Sequence, residues 1–173
     1  MRPSVLEMVL KLHALFQLPA MTWREIGVYK KILSGFSGSQ LDIFEYGSGY
    51  STVYFAKYLR GKKVPFHIHS IDNNSQWHEI VKARIRRCGL ESEVSLHLKS
   101  FKPFWEKDGW SWDVTPPCGD FAPKDKEETA YIQFPGSLNK KFDLIVIDAR
   151  FRRCCLEAAP QFLKKGGIVF LHD

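Results

Sequence analysis

The chain has 173 residues, which is enough for one domain with a sizeable core and too few for two. Its hydrophobic fraction of 45% and charged fraction of 25% are ordinary for a globular protein, and no apolar run is long enough to span a bilayer. The net charge of +6 is compatible with an acidic substrate or nucleic acid, although basic residues on solvated helix faces are the commoner explanation.

The cysteines indicate a reducing environment. They are Cys88, Cys118, Cys154 and Cys155. None forms a CxxC pair, and adjacent residues cannot easily share a disulfide, so a disulfide framework or zinc site is not indicated.

Near the N-terminus Glu7 and Lys11 interrupt the apolar residues, which favours an amphipathic helix over a secretory signal. We therefore expect a soluble, cytoplasmic protein that does not contact a membrane.

Two helices are predicted within residues 1–36. Apolar residues recur at helical spacing from Ser4 to about Phe16. Thr22 and Glu25 then form a capping-box pattern, which opens a second helix over 23–33 that ends at Gly35.

The first predicted strand, Leu41–Tyr46, is short and apolar, as a strand covered on both faces should be. Gly47 and Gly49 follow and allow a sharp turn and close approach of a ligand. Ser51 and Thr52 are suitable N-cap residues for the next helix. A ligand of an open α/β sheet lies at the carboxyl end of such a strand.

Two more strands follow before the middle of the chain. Phe66–Asp72 is a second strand with a carboxylate at its end, and Ser75 can cap a helix that ends at Gly89. Val94–Leu98 alternates as a third strand. Residues 101–140 are rich in aromatic residues and proline, and we expect an irregular but packed insert, such as a lid.

The last part of the chain repeats the strand–helix–strand pattern. Phe142–Asp148 is a buried-type strand that ends in a carboxylate. The next helix is predicted to end with Lys164–Lys165, whose charges suit its dipole, and to stop at Gly166–Gly167. Ile168–Leu171 is a last strand. Strands that alternate with helices predict an α/β fold, a doubly wound, mainly parallel, Rossmann-like sheet.

Four motifs occur in order at these strand ends. Glu45-x-Gly47-x-Gly49-x-Ser51-Thr52 is followed by Asp72, by FDLIVIDxR at 142–150 and by LKKGGIVFLHD at 163–173. Together they resemble the class I S-adenosylmethionine-dependent methyltransferases, above all the O-methyltransferase-like branch with the pattern E-x-G-S-G-x-S-T. The resemblance implies a single domain over 1–173 with five strands in the order 3-2-1-4-5. We expect the sheet of this chain to lack the C-terminal antiparallel hairpin that is usual in the family.

The resemblance also implies a cofactor site for S-adenosylmethionine. A carboxylate such as Asp72 can accept both ribose hydroxyls, although a helix-capping role is the alternative. In the family, the position of Glu45 contacts the methionine end, and N–H groups at Ser51 and Thr52 could bind the methionine carboxylate. The implied cofactor residues are Glu45, Tyr46, Gly47, Ser48, Gly49, Ser51, Thr52, Asp72, Asn73, Ser100 and Asp148.

A nicotinamide dehydrogenase is the natural rival, because it uses the same fold. Its fingerprint needs a third glycine for helix–strand packing, and that position is Thr52 here. The methyltransferase interpretation is therefore favoured.

Catalysis is assigned to Asp148, His172 and Asp173, which end the two last strands. His172 or one of the carboxylates could act as general base on a hydroxyl. Alternatively, Asp148 and Asp173 could hold a divalent cation that lowers the hydroxyl pKa. Relatives of the catechol type, which use such a cation, usually have Asp-Asn at the end of the last strand. This chain has His-Asp there, and this difference counts against the cation. His172 could equally be an ordinary strand-end histidine.

The acceptor is expected to be a hydroxyl of a small molecule or saccharide. Methyltransferases that act on amino groups of bases and glutamine carry a D/N-P-P-Y segment after the fourth strand. This chain has Asp148-Ala149-Arg150 there, which favours an oxygen over an exocyclic nitrogen. Arg150, Arg152 and Arg153 could bind an acidic group of the acceptor, or form a solvated helix face. Two alternatives remain open: an inactive cofactor-binding or interaction domain, and an RNA methyltransferase. A homo-oligomer could cover an open sheet edge.

Overall fold

The structure is a computed structural model that describes residues 19, 21–36, 40–101 and 126–172. The helix predicted over 4–16, most of the predicted insert and Asp173 lie outside the described residues. No helix in these ranges is both long and apolar enough to cross a membrane.

Five parallel strands form one sheet in the order β3-β2-β1-β4-β5, which confirms the predicted order 3-2-1-4-5. The strands are β1 (Leu41–Tyr46), β2 (Phe66–Asp72), β3 (Val94–Leu98), β4 (Phe142–Ile147) and β5 (Leu163–Leu171). The chain builds outward from β1 to β3 and then returns to place β4 on the other side of β1. This reversal leaves a crevice at the carboxyl ends of β1 and β4, where ligands of such sheets bind.

Six helices are seen in the described ranges. They are α1 (Trp23–Gly35), α2 (Tyr50–Gly61), α3 (Ser75–Arg87), α4 (Lys126–Ile132), α5 (Phe134–Ser137) and α6 (Arg152–Ala158), which continues into a 3-10 turn at Ala159–Phe162. The capping box of α1 is confirmed, since the Thr22 hydroxyl accepts from the Glu25 N–H and the Glu25 carboxylate accepts from the Thr22 N–H.

The two faces of the sheet are covered by different helices. Along β4, Leu144 and Val146 point to the face covered by α1, α2 and α3, whereas Ile145 and Ile147 point to the face covered by α4 and α6. All four side chains are fully buried. Burial on both faces explains why residues 144–147 of β4 form a continuous apolar run rather than an alternating one.

The N-cap residues of two helices lie one to three residues before the predicted ones. Gly49, not Ser51 or Thr52, is the N-cap residue of α2. At α3, Ser75 is the first helical residue, because the Asn74 side chain caps the helix by accepting from the Trp77 N–H at 2.9 Å. Asparagine is as good an N-cap as serine, so the earlier of two suitable residues takes the position.

The prediction that the last helix extends to Lys164–Lys165 is wrong. The helix ends at Ala158, the 3-10 turn ends at Phe162, and both lysines belong to β5. Gly166 has a φ of +81°, and the register against β4 shifts between Phe142 and Leu144. The paired glycines therefore form an irregularity inside a strand instead of ending a helix.

Part of the predicted insert is helical. Residues 126–137 form α4 and α5, and Pro135 lies in the first turn of α5, where proline is tolerated. Tyr131 and Ile132 of α4 are buried against the sheet. These residues therefore complete one wall of the fold.

Candidate active site

A cleft of about 460 Å³ opens at the carboxyl ends of β1, β2 and β4. Its lining includes charged, polar and aromatic side chains. The lining residues are Gly47, Ser48, Asp72, Asn73, Asn74, Trp77, Tyr131, Asp148, Ala149, Arg150 and Arg152. This is the crevice that the strand order creates, and five of the predicted site residues lie in it.

Gly47 forms the sharp turn at the bottom of the cleft. Its φ is +89°, and a Cβ at this position would lie 2.1 Å from the carbonyl oxygen of Asp148. The Asp148 N–H donates to the Tyr46 carbonyl at 2.9 Å, and the Gly47 N–H donates to the Ile71 carbonyl at 2.8 Å. Only glycine therefore allows the end of β1 to approach the end of β4 so closely.

Asp72 ends β2 on one side of the cleft. One carboxylate oxygen accepts from the Ser48 N–H at 3.1 Å and from its hydroxyl at 3.3 Å, and the other accepts from the Asn74 N–H at 2.8 Å. Burial raises the pKa of Asp72, and these hydrogen bonds oppose that rise. The carboxylate is thus fixed in place while it still lines the cleft.

Trp77 closes the same side. Its indole N–H donates to the Ser48 carbonyl at 2.6 Å and so ties α3 to the glycine turn. Tyr50 lies beside it, with ring centroids 5.8 Å apart, and the guanidinium of Arg84 stacks 3.9 Å from the Tyr50 ring. The turn is therefore held by aromatic packing as well as by Asp72.

Glu45 lies beneath the turn, with only 2% of its surface exposed. Its carboxylate accepts from the hydroxyls of Ser51, Thr52 and Ser70. Burial raises the pKa of Glu45 to about 7, and the three hydroxyl groups oppose the rise. The carboxylate joins β1, β2 and the first turn of α2, so the Ser51 and Thr52 hydroxyls serve Glu45 rather than facing the cleft.

Asp148 and His172 meet on the other side of the cleft. Asp148 Oδ1 lies 3.1 Å from His172 Nδ1. The two atoms are close enough for an ion pair, but His172 Nδ1 makes no hydrogen bond to any described residue. The other ring nitrogen, Nε2, lies 3.6 Å from Glu25 Oε1 on α1. Both nitrogens of His172 thus face a carboxylate, and the ring bridges α1 and the end of β4.

Two arginines add positive charge beside Asp148. Arg150 and Arg152 line the cleft, and one guanidinium nitrogen of Arg152 lies 3.5 Å from Asp148 Oδ1. Arg153 points elsewhere and pairs with Glu157 at 3.0 Å. The lining on this side of the cleft therefore combines a carboxylate paired with Arg152 and a second arginine, Arg150.

The predicted cofactor residues divide into three groups. Gly47, Ser48, Asp72, Asn73 and Asp148 line the cleft. Glu45, Ser51 and Thr52 are buried below it, and the Tyr46 hydroxyl points away to donate to the Ile132 carbonyl at 2.6 Å. Gly49 lies in the turn and Ser100 is exposed after β3; neither belongs to the lining seen in the described ranges.

Sequence reasoning missed four residues of this region: Glu25, Asn74, Trp77 and Tyr131. Glu25 was assigned only to its capping box, yet it reaches His172. Asn74, Trp77 and Tyr131 line the cleft, but Asn74 directly precedes the helix predicted from Ser75, Trp77 falls within that helix, and Tyr131 falls within the predicted insert. An aromatic residue shortly after a strand-end carboxylate, as Trp77 follows Asp72, is the one signal that could have been used.

The metal alternative depends on Asp173, which lies outside the described residues. In the part of the chain that the structure describes, no three His, Cys, Asp or Glu side chains are grouped so that they could hold a metal ion. Among the described residues, Asp148 Oδ1 lies within 3.5 Å of both His172 and Arg152.

The cleft fits a nucleoside cofactor. Asp72 offers a fixed carboxylate for ribose hydroxyls, and Gly47 gives a surface without a Cβ. A buried hydroxyl at Tyr131 adds a further polar group. This combination of groups suits a sugar and a base better than it suits a pyrophosphate.

Comparison with known proteins identifies the family of the chain. A family model described as a methyltransferase domain matches residues 44–173. No curated protein matched the sequence significantly. Among solved structures, a provisionally assigned caffeoyl-CoA O-methyltransferase from Staphylococcus aureus has 18% sequence identity and a TM-score of 0.60, and the match covers 98% of this chain and 66% of that one.

Two further structures share the fold. The O-methyltransferase TomG from Streptomyces achromogenes, involved in tomaymycin synthesis and solved with S-adenosylmethionine, has 15% identity and a TM-score of 0.51 over 99% of this chain and 66% of that one. Precorrin 8w decarboxylase from Methanobacterium thermoautotrophicum has 15% identity and a TM-score of 0.52 over 87% of this chain and 62% of that one.

The chain spans just under two thirds of the length of these three structures, and at such identities the likeness shows the fold alone. The family model is stronger evidence, because it covers about three quarters of the chain, including the second half of β1, the other four strands and every residue that lines the cleft. On this evidence the chain belongs to the family of methyltransferase domains.

Proposed function

We propose that the protein is an S-adenosylmethionine-dependent methyltransferase of the O-methyltransferase-like branch, which acts on a hydroxyl of a small molecule or saccharide. The observation that carries the proposal is that Asp72 and Asp148 line one cleft at the strand-order reversal, and that Asp148 has His172 3.1 Å away. The first is suited to a cofactor and the second to deprotonating an acceptor.

Asp72 binds the ribose hydroxyls in this proposal. Its two oxygens are oriented by Ser48 and Asn74, so little side-chain entropy is lost when a ligand binds. Gly47 lets the nucleoside lie against the backbone, and Glu45 keeps the turn in shape from below. When bound, S-adenosylmethionine supplies an electrophilic methyl group on a sulfonium.

Asp148 accepts the proton that leaves the acceptor hydroxyl, and His172 positions it. Because both ring nitrogens of His172 face carboxylates, the histidine is better suited to orient Asp148 than to contact the acceptor itself. A divalent cation held by Asp148 and Asp173 would serve the same end by lowering the hydroxyl pKa. In either case, in-line positioning supplies much of the acceleration.

The charges at this end of the cleft favour an acceptor with an acidic group. Arg150 and Arg152 lie beside Asp148, and a carboxylate, phosphate or sugar acid could pair with them. The absence of a D/N-P-P-Y segment after β4 favours an oxygen acceptor over an exocyclic nitrogen.

Methyl transfer from radiolabelled S-adenosylmethionine to a panel of hydroxyl and amine acceptors tests the proposal. We expect transfer to hydroxyl acceptors, and at least a hundredfold lower kcat in Asp148→Asn at saturating S-adenosylmethionine. Glu157→Gln, an exposed change on α6, is the control. Transfer to amines alone, or full activity of Asp148→Asn, would contradict it. Loss of activity in a chelator, restored by Mg²⁺, would select the cation over the base.

A further inference from the structure

Tyr131 is a buried tyrosine in the wall of the cleft, on α4, and no sequence motif points to it. It has 0% of its surface exposed and lines the cleft together with Asp72 and Asn73. Its ring packs 5.1 Å from Phe101 and 5.8 Å from Tyr46, measured between centroids. These ring contacts fix where the hydroxyl lies.

The Tyr131 hydroxyl has no hydrogen-bond partner among the described residues. The neighbouring Tyr46 hydroxyl, equally buried, donates to the Ile132 carbonyl at 2.6 Å. A buried hydroxyl without a partner is costly, and most buried tyrosines therefore have one. In the wall of a ligand cleft, a ligand atom is the natural partner.

Tyr131 shares the lining of the cleft with Asp72. Burial first, and then the nearby Cys155, Asp72, Tyr46 and Glu45, raise the pKa of Tyr131 well above its usual value. The group is therefore a neutral donor at every physiological pH. The carboxylate beside it is the one assigned to ribose, and a nucleoside offers several oxygen and ring-nitrogen acceptors.

We propose that the Tyr131 hydroxyl donates a hydrogen bond to the nucleoside half of the bound cofactor, and so is a cofactor-binding residue of the cleft. The proposal rests on the proposed function, because it needs an adenosyl ligand in this cleft. Tyr131 comes from the region between β3 and β4, whereas Asp72 comes from β2. The two together would hold the nucleoside from separate elements of the fold.

Tyr131→Phe tests this by removing one oxygen atom. The probes are S-adenosylhomocysteine and 5′-methylthioadenosine, which keeps the nucleoside and lacks the amino-acid part. We expect the affinity for both probes to fall about tenfold in calorimetric titration. The melting temperature without ligand should stay the same or rise, because an unsatisfied hydroxyl is removed from the interior.

Tyr58→Phe is the matched control, since it removes a hydroxyl that lies 3.1 Å from the Ser34 hydroxyl, away from the cleft. Both probes should bind this variant as they bind the wild type.

Unchanged affinity in Tyr131→Phe would overturn the proposal, as would a lower melting temperature without ligand, which would reveal a protein or water partner. Weaker binding of S-adenosylhomocysteine alone would also overturn it, by moving the contact to the amino-acid half. If the wild type binds neither probe, the proposed function itself fails.

Discussion

Gly47 is the residue on which the shape of the cleft depends most. Its φ of +89° belongs to the left-handed region, and any Cβ would meet the Asp148 carbonyl oxygen at 2.1 Å. Gly47→Ala should therefore lower the free energy of unfolding by about 2 kcal/mol or more, through backbone strain and displacement of the end of β4. Urea denaturation measures this change.

Gly27→Ala is the control for that substitution. Gly27 is exposed within α1, and no atom lies within 4 Å of a Cβ built there. Alanine has the higher helix propensity, so this variant should gain about 0.5–1 kcal/mol. Equal effects of the two substitutions would mean that the turn is not constrained as described.

Glu45 makes stability depend on pH. Its pKa is raised from 4.5 to about 7 in the folded protein, mainly by burial. The folded state thus binds the proton more tightly than the unfolded chain, so this contribution to stability is full below about pH 4.5 and is lost as pH rises to 7. The loss should be on the order of 2–3 kcal/mol.

Comparing wild type with Glu45→Gln isolates this effect from the other titrating groups. Glutamine resembles the protonated acid and does not titrate, so the difference in unfolding free energy between pH 5 and pH 8 should be smaller in the variant. Denaturant titrations at both pH values measure it. A wild type that gains stability with pH relative to the variant would show that the folded pKa is lowered instead.

At the scale of single residues, the sequence was informative where a group follows a strand. Asp72 and Asp148 were found because the carboxyl ends of parallel strands meet at one edge of the sheet. Glu25 and Tyr131 were missed, because they reach the site from helices whose packing depends on long-range contacts. Local pattern carries no information about which side of such a helix faces the cleft.

At the scale of elements, the clearest error concerns Lys164 and Lys165. Lysines before a glycine pair suit the end of a helix, but they lie in β5. Lys164 Nζ lies 2.9 Å from Asp42 and 2.8 Å from Asp143, two carboxylates at the amino-terminal ends of β1 and β4. These tertiary ion pairs link three strands and override the local preference.

Lys164→Met should destabilise the protein by about 1 kcal/mol, because Asp143 loses a cation and Asp42 retains only Lys140. The adjacent Lys165→Met is the control, since Lys165 is exposed, and it should change stability by less than about 0.5 kcal/mol. Thermal or urea unfolding measures both. Equal, small effects would mean that the ion pairs do not join β5 to the sheet.

At the scale of the whole molecule, the alternation of strands and helices was enough to predict the sheet class, and the family resemblance supplied the strand order. The region between β3 and β4 could not be predicted in the same way. Its apolar residues follow no clear period, yet α4 and α5 fold onto the sheet and bring Tyr131 to the cleft. Acceptor specificity is expected to reside in such regions.

The central claim is that this cleft binds an adenosyl cofactor through Asp72. The most direct test is calorimetric titration of S-adenosylhomocysteine into the wild type and Asp72→Asn, with Glu79→Gln as an exposed control on α3. We expect micromolar binding by the wild type and the control, and at least tenfold weaker binding by Asp72→Asn, because hydrogen bonds to a charged acceptor are lost. No binding by the wild type, or equal binding by Asp72→Asn, would contradict the account.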